Sequence, residues 1–485
     1  MGNLTHSLLL SILKENNSVR SRTMYNRKLH FHFTGIGGSG MSGIAEILLN
    51  NGYAVSGSDI SIGASCTRLQ GLGIEIVRGH AASHVPESAS LVVYSSAVSL
   101  DNPELEEARR RKIPVVKRAE VLAELMRLKF GVAVAGAHGK TSTTSLIGWI
   151  FEHAGLDPTV VIGGQVKQRH SGGRKGDGDF LIAEADESDR SFLLLKPAVA
   201  LVTNIDREHM DAYESEEDLQ QAFEQFIGSV PFYGLAVLCI DDPYLETLSK
   251  SFPRRIVTYG FSNDAEIRGE VQSVDVEGTR LKVFVGGESW LSVKLPMIGR
   301  HFAQNALGAI AVALEFGLSA EQVQGGLETF PGVERRLEPL GSVQGALCFS
   351  DYGHHPVEIQ ETLRALREGF HETGRKIRVI FQPHRYSRTE QSYSEFCECF
   401  TDCDELWVTE IYAAGEAPRA GLCGEKFAGD IQHVNVNFLE NLNEALEALF
   451  ETFSSKDLVL FLGAGSIGIR GAHLVTEKGV ERDAA

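Results

Sequence analysis

The run Gly136-Ala137-His138-Gly139-Lys140-Thr141-Ser142-Thr143 directly follows the apolar segment Gly131–Ala135. No other feature constrains the chain as strongly. A buried strand, a glycine turn and a helix must occur in that order for such a loop to work, which demands a parallel α/β sheet. Backbone N–H groups of the turn can wrap phosphate oxygens. Lys140 is then placed for the β- and γ-phosphates, and the Thr141 hydroxyl for a Mg²⁺ ion. The loop is shorter than the usual form, which has four residues between its glycines. A glycine turn with an incidental lysine is the alternative.

The same alternation extends along most of the chain. His30–Thr34, Ala54–Ser58, Ile74–Val77, Leu91–Tyr94 and Val115–Val116 read as strands, with a helix at Met41–Asn51. A second α/β unit opens at Gly131 and continues through strands Phe180–Glu184, Val199–Thr203 and Leu235–Ile240. Ala265–Leu295 alternates apolar and polar residues between glycine turns, as an antiparallel patch does. A third block carries strands at Cys348–Asp351, Ile377–Phe381, Glu405–Thr409 and Leu458–Leu462. The fold class is therefore α/β. The expected division is an arm at 1–28 and domains at 29–127, 128–334 and 335–485. Met24, just before the first strand, is a candidate start.

With 485 residues the chain is too long for one core. Its formal net charge of −18 opposes broad nucleic-acid binding, because phosphate backbones need Lys and Arg. No apolar run approaches the roughly 18 residues that span a bilayer, so no membrane insertion is expected. Leu8–Leu13 is short and follows no basic segment, unlike a secretory signal. Seven cysteines form no disulfide framework, which fits a reducing cytoplasm. Cys397, Cys399 and Cys403 cluster, but their spacing fits no zinc pattern. Ser394–Cys403 reads as an amphipathic helix that buries them.

Five further motifs carry chemistry. Gly35-Ile36-Gly37-Gly38-Ser39-Gly40 lies between a strand and a helix, where glycines admit a diphosphate to a helix N-terminus. Asp59 follows about two dozen residues on, where a ribose-binding acid belongs. That pattern alone does not separate NAD from a UDP-sugar. Glu184-Ala185-Asp186-Glu187-Ser188-Asp189 packs four carboxylates into six residues and suits Mg²⁺. Period-two geometry puts Glu184 and Asp186 on one side; a solvated acidic loop is the alternative. In Asn204–Asp211, His209 is a candidate metal ligand or an ordinary polar residue. Asp351-Tyr352-Gly353-His354-His355-Pro356 and Gln382-Pro383-His384-Arg385-Tyr386-Ser387-Arg388 both follow strands. Arg385 and Arg388 could grip a carboxylate bidentately, or carry surface charge.

Taken in order, these motifs resemble the Mur ligases, most nearly the L-alanine-adding member. The resemblance runs from about Leu29 to Gly468 and rests on GIGGSGMSGIAE, AGAHGKTSTTS, EADESD, DYGHHP, FQPHRYSRT and YAAGEAP. It implies three domains: an N-terminal Rossmann-like UDP-substrate domain, a central P-loop ATPase and a C-terminal Rossmann-like domain. It implies ATP-dependent joining of L-alanine to UDP-N-acetylmuramate in peptidoglycan synthesis, with ATP and Mg²⁺ as cofactors. Gly35, Gly37, Gly38, Ser39, Gly40, Asp59, Ser95 and Ser96 would meet the UDP-substrate. Gly136, Ala137, His138, Gly139, Lys140, Thr141, Ser142, Asn305, Arg336 and Asp351 would meet the nucleotide. Thr141, Glu184 and His209 would hold metal, and Tyr352, His354, Arg385 and Arg388 would surround the amino acid.

There are departures from the family pattern. Ala137 and Ser142 stand where threonine is usual, Phe302 follows His301 where asparagine is usual, and Ser350 precedes Asp351 where an aspartate pair is common. The tail beyond Gly468 matches little. The implied chemistry is attack of the substrate carboxylate on the γ-phosphate, then attack of the L-alanine amine on the acyl phosphate. His354 would orient the amine, take its proton or contact the alanine carboxylate. A ligase that joins the same sugar to a ready-made tripeptide is the close alternative, and FQPHRYSRT speaks against it. An NAD(P)-dependent oxidoreductase leaves the Gly136–Thr141 loop without a task. A non-catalytic nucleotide sensor is opposed by intact Lys140, Glu184 and His209.

Overall fold

Short apolar runs punctuated by glycine become three sheets. The computed structural model describes residues 29–95, 97–164, 166–167, 171–433 and 435–478. The expected arm with Met24, and Ser96, lie outside the described residues. The chain divides into two compact units: one formed by 1–124 with 173–175, the other by 125–172 and 176–485.

In the first unit, β1 (His30–Thr34), β2 (Ala54–Asp59), β3 (Glu75–Arg78), β4 (Leu91–Tyr94) and β5 (Val115–Lys117) form a parallel sheet in the order β3-β2-β1-β4-β5. Chain order reverses at β1, which pairs with β2 on one side and β4 on the other. Doubly wound sheets bind ligands at such a switch point, beyond the strand C-termini. The Gly35–Gly40 turn sits there and leads into α1 (Ser39–Asn50). Helix α2 (Pro103–Arg110) starts with an Asn102 cap and proline at its first turn, both favourable there.

In the second unit, β6 (Phe130–Ala135), β7 (Thr159–Val161), β8 (Phe180–Glu184), β9 (Val199–Val202), β10 (Leu235–Cys239) and β11 (Ile256–Gly260) lie parallel. They continue into the antiparallel β12 (Ile267–Asp275), β13 (Gly278–Val285) and β14 (Glu288–Leu295). The order β14-β13-β12-β11-β10-β9-β6-β8-β7 places β6 between β9 and β8, a second switch point. Helix α3 (Lys140–His153) begins there, and α4 (Arg300–Glu315) packs beside it. Val132, Val134, Ile147, Ile150, Leu201 and Leu307 are fully or almost fully buried between them. Each such side chain contributes about 1.5–3 kcal/mol of transfer free energy.

The C-terminal sheet comprises β15 (Glu338–Val343), β16 (Ala346–Asp351), β17 (Lys376–Phe381), β18 (Glu405–Thr409), β19 (Val436–Leu439) and β20 (Asp457–Leu462), ordered β15-β16-β20-β17-β18-β19. Helix α5 (Pro356–Gly369) follows β16, and α6 (Tyr386–Gln391) follows β17. Edge strands β15 and β19 escape the sequence reading, β15 because it mixes proline and glycine with few apolar residues and β19 because it is only four residues long. The expected helix Ser394–Cys403 is shorter, Tyr393–Glu398, and a turn carries Cys399 and Cys403. The buried-cysteine expectation fits: all three are buried, and the Cys399 and Cys403 thiols donate to the Phe396 and Phe400 carbonyls. Among the described residues no helix is long and apolar enough to cross a membrane.

Candidate active site

The loop after β6 is shaped by backbone need. Gly136 and Gly139 have φ of 137° and 81°, where L side chains are strained. A Cβ on Gly136 would strike the Thr203 hydroxyl, and one on Gly139 would strike Asn305 Oδ1. Ala137 N donates to the Asn204 carbonyl at 3.2 Å, so position 137 works through backbone. Asn305, buried on α4, lies directly over the loop and marks the floor of a cavity of about 780 Å³. His138, Gly139, Ser142, Asn305, Arg336 and Asp351 all line that cavity.

Lys140 Nζ donates to the carbonyls of Gly136 (2.6 Å) and Ala137 (2.8 Å) and to Glu187 Oε1 (2.8 Å). Burial opposes its charge, but the Glu187 and Glu184 carboxylates outweigh burial and raise its pKa. Burial pushes Glu187 up to about 7 despite Lys140. Thr141 Oγ1 donates to Glu184 Oε2 at 2.9 Å, and Gly163 N to the same oxygen at 2.7 Å. Asp186 does not follow the period-two expectation. The strand ends at Glu184, and Asp186 Oδ1 accepts from Ser188 N and Oγ within a turn.

Glu187, Glu208 and His209 each offer a ligand atom within 4.8 Å of the others. Among the described residues, Glu187 Oε2 and Glu208 Oε1 are buried without a hydrogen-bond partner. Burial holds the His209 pKa below its usual value, which keeps the neutral, ligating form. His209 also sits at φ 56°, a conformation few non-glycine residues adopt. Two hard oxygens left unpaired beside a neutral imidazole are a donor set that a divalent cation fits. The metal candidates Thr141 and Glu184 are hydrogen-bonded to each other next to this group. Glu187 and Glu208 were not singled out, although both stand inside the motifs quoted above. Their signal was an excess of carboxylate beyond what one strand end can present.

Arg336 donates to Glu358 Oε1 at 3.3 Å, and its guanidinium lies 5.4 Å from the Tyr352 ring centre. Asp351 accepts from Leu337 N (2.6 Å) and Gly353 N (2.7 Å), fixing the segment that enters the C-terminal sheet. Burial raises its carboxyl to about 6. His354 Nδ1 faces two acceptors, the Tyr352 carbonyl at 3.1 Å and Glu358 Oε2 at 3.3 Å. Nδ1 therefore carries the proton and Nε2 keeps its lone pair. Burial lowers the His354 pKa to about 4, with Glu358 opposing and Arg388 adding to the fall.

The two arginines of the FQPHRYSRT segment do not grip one partner. Arg385 Nε donates to Glu416 Oε1 at 2.7 Å, and Arg388 Nη1 lies 3.1 Å from His384 Nδ1. Glu416, from YAAGEAP, also binds Ser387 and holds the loop closed. His384 stacks on Tyr412 with ring centres 5.6 Å apart. Across the loops, His138 Nε2 meets Asp206 Oδ2 at 2.9 Å, and its ring lies 5.1 Å from that of His355. Burial disfavours the His138 cation, yet the carboxylates of Asp206, Glu358 and Glu208 raise its pKa to about 10.

In the first unit a cavity of about 400 Å³ is lined by Gly35, Gly37, Gly38, Asp59, His80 and Ser95. Asp59 Oδ2 accepts from Gly37 N at 2.8 Å, and Oδ1 from Ser61 N at 3.1 Å, so this carboxylate braces the glycine turn. No side chain caps α1, whose first residue is Ser39. A Cβ on Gly40 would meet the Arg118 guanidinium. Ser95 Oγ accepts from Ala97 N at 3.3 Å.

Comparison with known proteins adds lineage to this geometry. Residues 30–130 match the Mur ligase family catalytic domain, 134–313 the Mur ligase middle domain, and 335–465 the Mur ligase glutamate ligase domain. A UDP-N-acetylmuramate–L-alanine ligase of Anaeromyxobacter sp. (strain Fw109-5) is 48% identical over 93% of this chain and 98% of its own. One from Nitratidesulfovibrio vulgaris (strain DP4) is 48% identical over 93% and 99%. Among solved structures, the UDP-N-acetylmuramate–alanine ligase of Thermotoga maritima superposes with a TM-score of 0.80 at 30% identity, covering 93% of this chain and 98% of that one. A murein peptide ligase of Psychrobacter arcticus superposes with a TM-score of 0.69 at 24% identity, covering 94% and 100%, a likeness of fold.

Proposed function

The chain belongs to the Mur ligase family, and from that premise we propose that it joins L-alanine to UDP-N-acetylmuramate with cleavage of ATP to ADP and phosphate. The observation that carries this reading is convergence: the phosphate-loop residue His138, the acid Glu208 and the C-terminal residues His354 and Glu358 form one buried cluster. In this reading ATP and the incoming amine meet at that cluster. Domains at 29–127, 128–334 and 335–485 would divide the work between UDP-substrate, ATP and amino acid.

Attack of a carboxylate on a triphosphate fails without charge neutralisation and alignment. Lys140 supplies a fixed ammonium at the phosphate loop, and Arg336 a guanidinium in the cavity that His138 and Gly139 of that loop line. Magnesium, held by Glu187, Glu208 and His209 beside Thr141 and Glu184, would supply further positive charge at the transferred phosphoryl group. Asn305 would meet the adenine. The carboxylate of UDP-N-acetylmuramate attacks the γ-phosphorus, its oxygen bonds to phosphorus, and ADP leaves. The amine of L-alanine then attacks the acyl carbon, phosphate leaves, and the proton lost from the nitrogen goes to the departing phosphate.

His354, neutral at pH 7, presents the Nε2 lone pair to an N–H of the amine. With Nδ1 committed to the Tyr352 carbonyl and Glu358, the free Nε2 lone pair orients the amine. Arg388 offers a half-buried guanidinium for the alanine carboxylate, and Arg385 stays with Glu416. Burial of this cluster excludes water from an acyl phosphate that water would hydrolyse. UDP-N-acetylmuramate labelled with ¹⁸O in its carboxylate tests the scheme. One ¹⁸O must appear in the released phosphate and one must stay in the amide; unlabelled phosphate would refute it.

A further inference from the structure

A second donor group lies beside the proposed magnesium centre and has different chemistry. His138, Glu208 and His355 each bring a ligand atom within 4.8 Å of the others. Among the described residues, His138 Nδ1, Glu208 Oε1 and His355 Nδ1 are buried without hydrogen-bond partners. Glu208 and His355 are both more than nine-tenths buried. Three polar atoms left unsatisfied in one place are costly in a folded protein. Their polar neighbours are distant, Glu358 Oε1 at 3.6 Å from His138 Nδ1, Asp206 Oδ2 at 3.8 Å from His355 Nδ1 and His354 Nε2 at 3.9 Å from Glu208 Oε1, and a cation that takes all three replaces these long contacts with short ones.

We propose that His138, Glu208 and His355 form a binding site for a borderline transition metal such as Zn²⁺, which shares Glu208 with the Glu187–Glu208–His209 magnesium group and so competes with it for that carboxylate. Two imidazoles and one carboxylate are the donor set of three-ligand zinc sites, which leave a fourth position open. Magnesium prefers oxygen and resists this set. The surrounding residues match what such sites need. Asp206 Oδ2 accepts from His138 Nε2 at 2.9 Å, a carboxylate behind a ligating imidazole that leaves Nδ1 for the metal. Glu358 Oε1, 3.6 Å from His138 Nδ1, stands beside the open position. The cavity of about 780 Å³, which His138, Asp206 and Glu358 line, gives a route of entry. His138 releases its Nδ1 proton to solvent as the metal binds.

The site has a consequence for turnover. It ties the phosphate loop (His138) to the loop after β16 (His355), and it draws on Glu208, which both donor groups share. A bound transition metal therefore removes Glu208 from the magnesium group and holds the two loops together. Micromolar Zn²⁺ should act as a reversible inhibitor that excess Mg²⁺ relieves only weakly.

Cobalt(II) is the probe, titrated into full-length protein carrying Cys423→Ser, with Mg²⁺ in large excess. The site predicts one equivalent of cobalt with the visible absorption of a four- or five-coordinate ion and no thiolate charge-transfer band. His138→Asn and His355→Asn should each weaken binding by at least about 100-fold, and Asp206→Asn by about 10- to 100-fold, while His209→Asn keeps it. X-ray absorption on the unsubstituted ligand set needs no folding control and should count two imidazole nitrogens. A single imidazole, loss of cobalt in His209→Asn, or no stoichiometric binding under excess Mg²⁺ would overturn the proposal.

Discussion

Glu104 is fully buried at the start of α2, yet its carboxyl sits at about 2, well below the ordinary 4.5. Burial pushes the value up, and hydrogen bonds from His32 (3.4 Å), Ser58 (2.7 Å) and Thr34 (2.8 Å) more than reverse it. His84 adds a contact at 3.2 Å. A fall from 4.5 to about 2 means the charged form favours the fold by about 3 kcal/mol at neutral pH. Glu104→Gln keeps the shape and removes the charge, so it should cost about that much. The chain has several domains, so a single unfolding free energy is poorly defined. Amide hydrogen exchange resolved by segment is the better assay.

Protection of β1 and β2 should drop about 100-fold in Glu104→Gln at pH 7, and β6 should be unchanged. The sign with pH is fixed, because a depressed carboxyl stabilises above its unfolded value. The contribution is complete above about 4.5 and lost as pH falls towards 2, with about half remaining at pH 3. A loss below fivefold at pH 7, or a gap between the two proteins that does not shrink between pH 4.5 and 3, would refute the reasoning. Ser58 links this cluster to function, since its carbonyl accepts from Gly35 N and Ile36 N in the glycine turn.

Three other substitutions test the second unit. Lys140→Met should lower kcat by about 100- to 1000-fold, as loss of a fixed charge at a developing oxyanion does, measured by coupled phosphate release. Glu187→Gln should raise the Mg²⁺ concentration for half-maximal turnover at least about 10-fold; an unchanged Mg²⁺ curve would remove Glu187 from the metal group. Arg388→Lys should raise KM for L-alanine by about 10-fold, roughly 1.4 kcal/mol, and leave KM for ATP within about twofold.

Much of the architecture was legible because buried parallel strands must be apolar and the turns after them must be glycine-rich. β1, β4, β8 and β18 fall where the residue pattern puts them. The candidate site was legible as motifs and less so as partnerships. Period two ended with the strand at Glu184, so sequence could not show that Glu187 is the partner of Lys140. Spacing suggested that Arg385 and Arg388 share a carboxylate, but Glu416, distant in sequence, takes Arg385. Glu358 is an unremarkable acid on an amphipathic helix until α5 brings it to Arg336, His354 and His138. Such long-range pairings depend on sheet order, which local pattern does not encode.

The central claim is amide formation to free L-alanine. Phosphate release should be measured with ATP, Mg²⁺ and UDP-N-acetylmuramate, adding either L-alanine or the tripeptide L-Ala-γ-D-Glu-diaminopimelate. The account predicts release that requires L-alanine and yields UDP-N-acetylmuramoyl-L-alanine. Release with the tripeptide alone would contradict it.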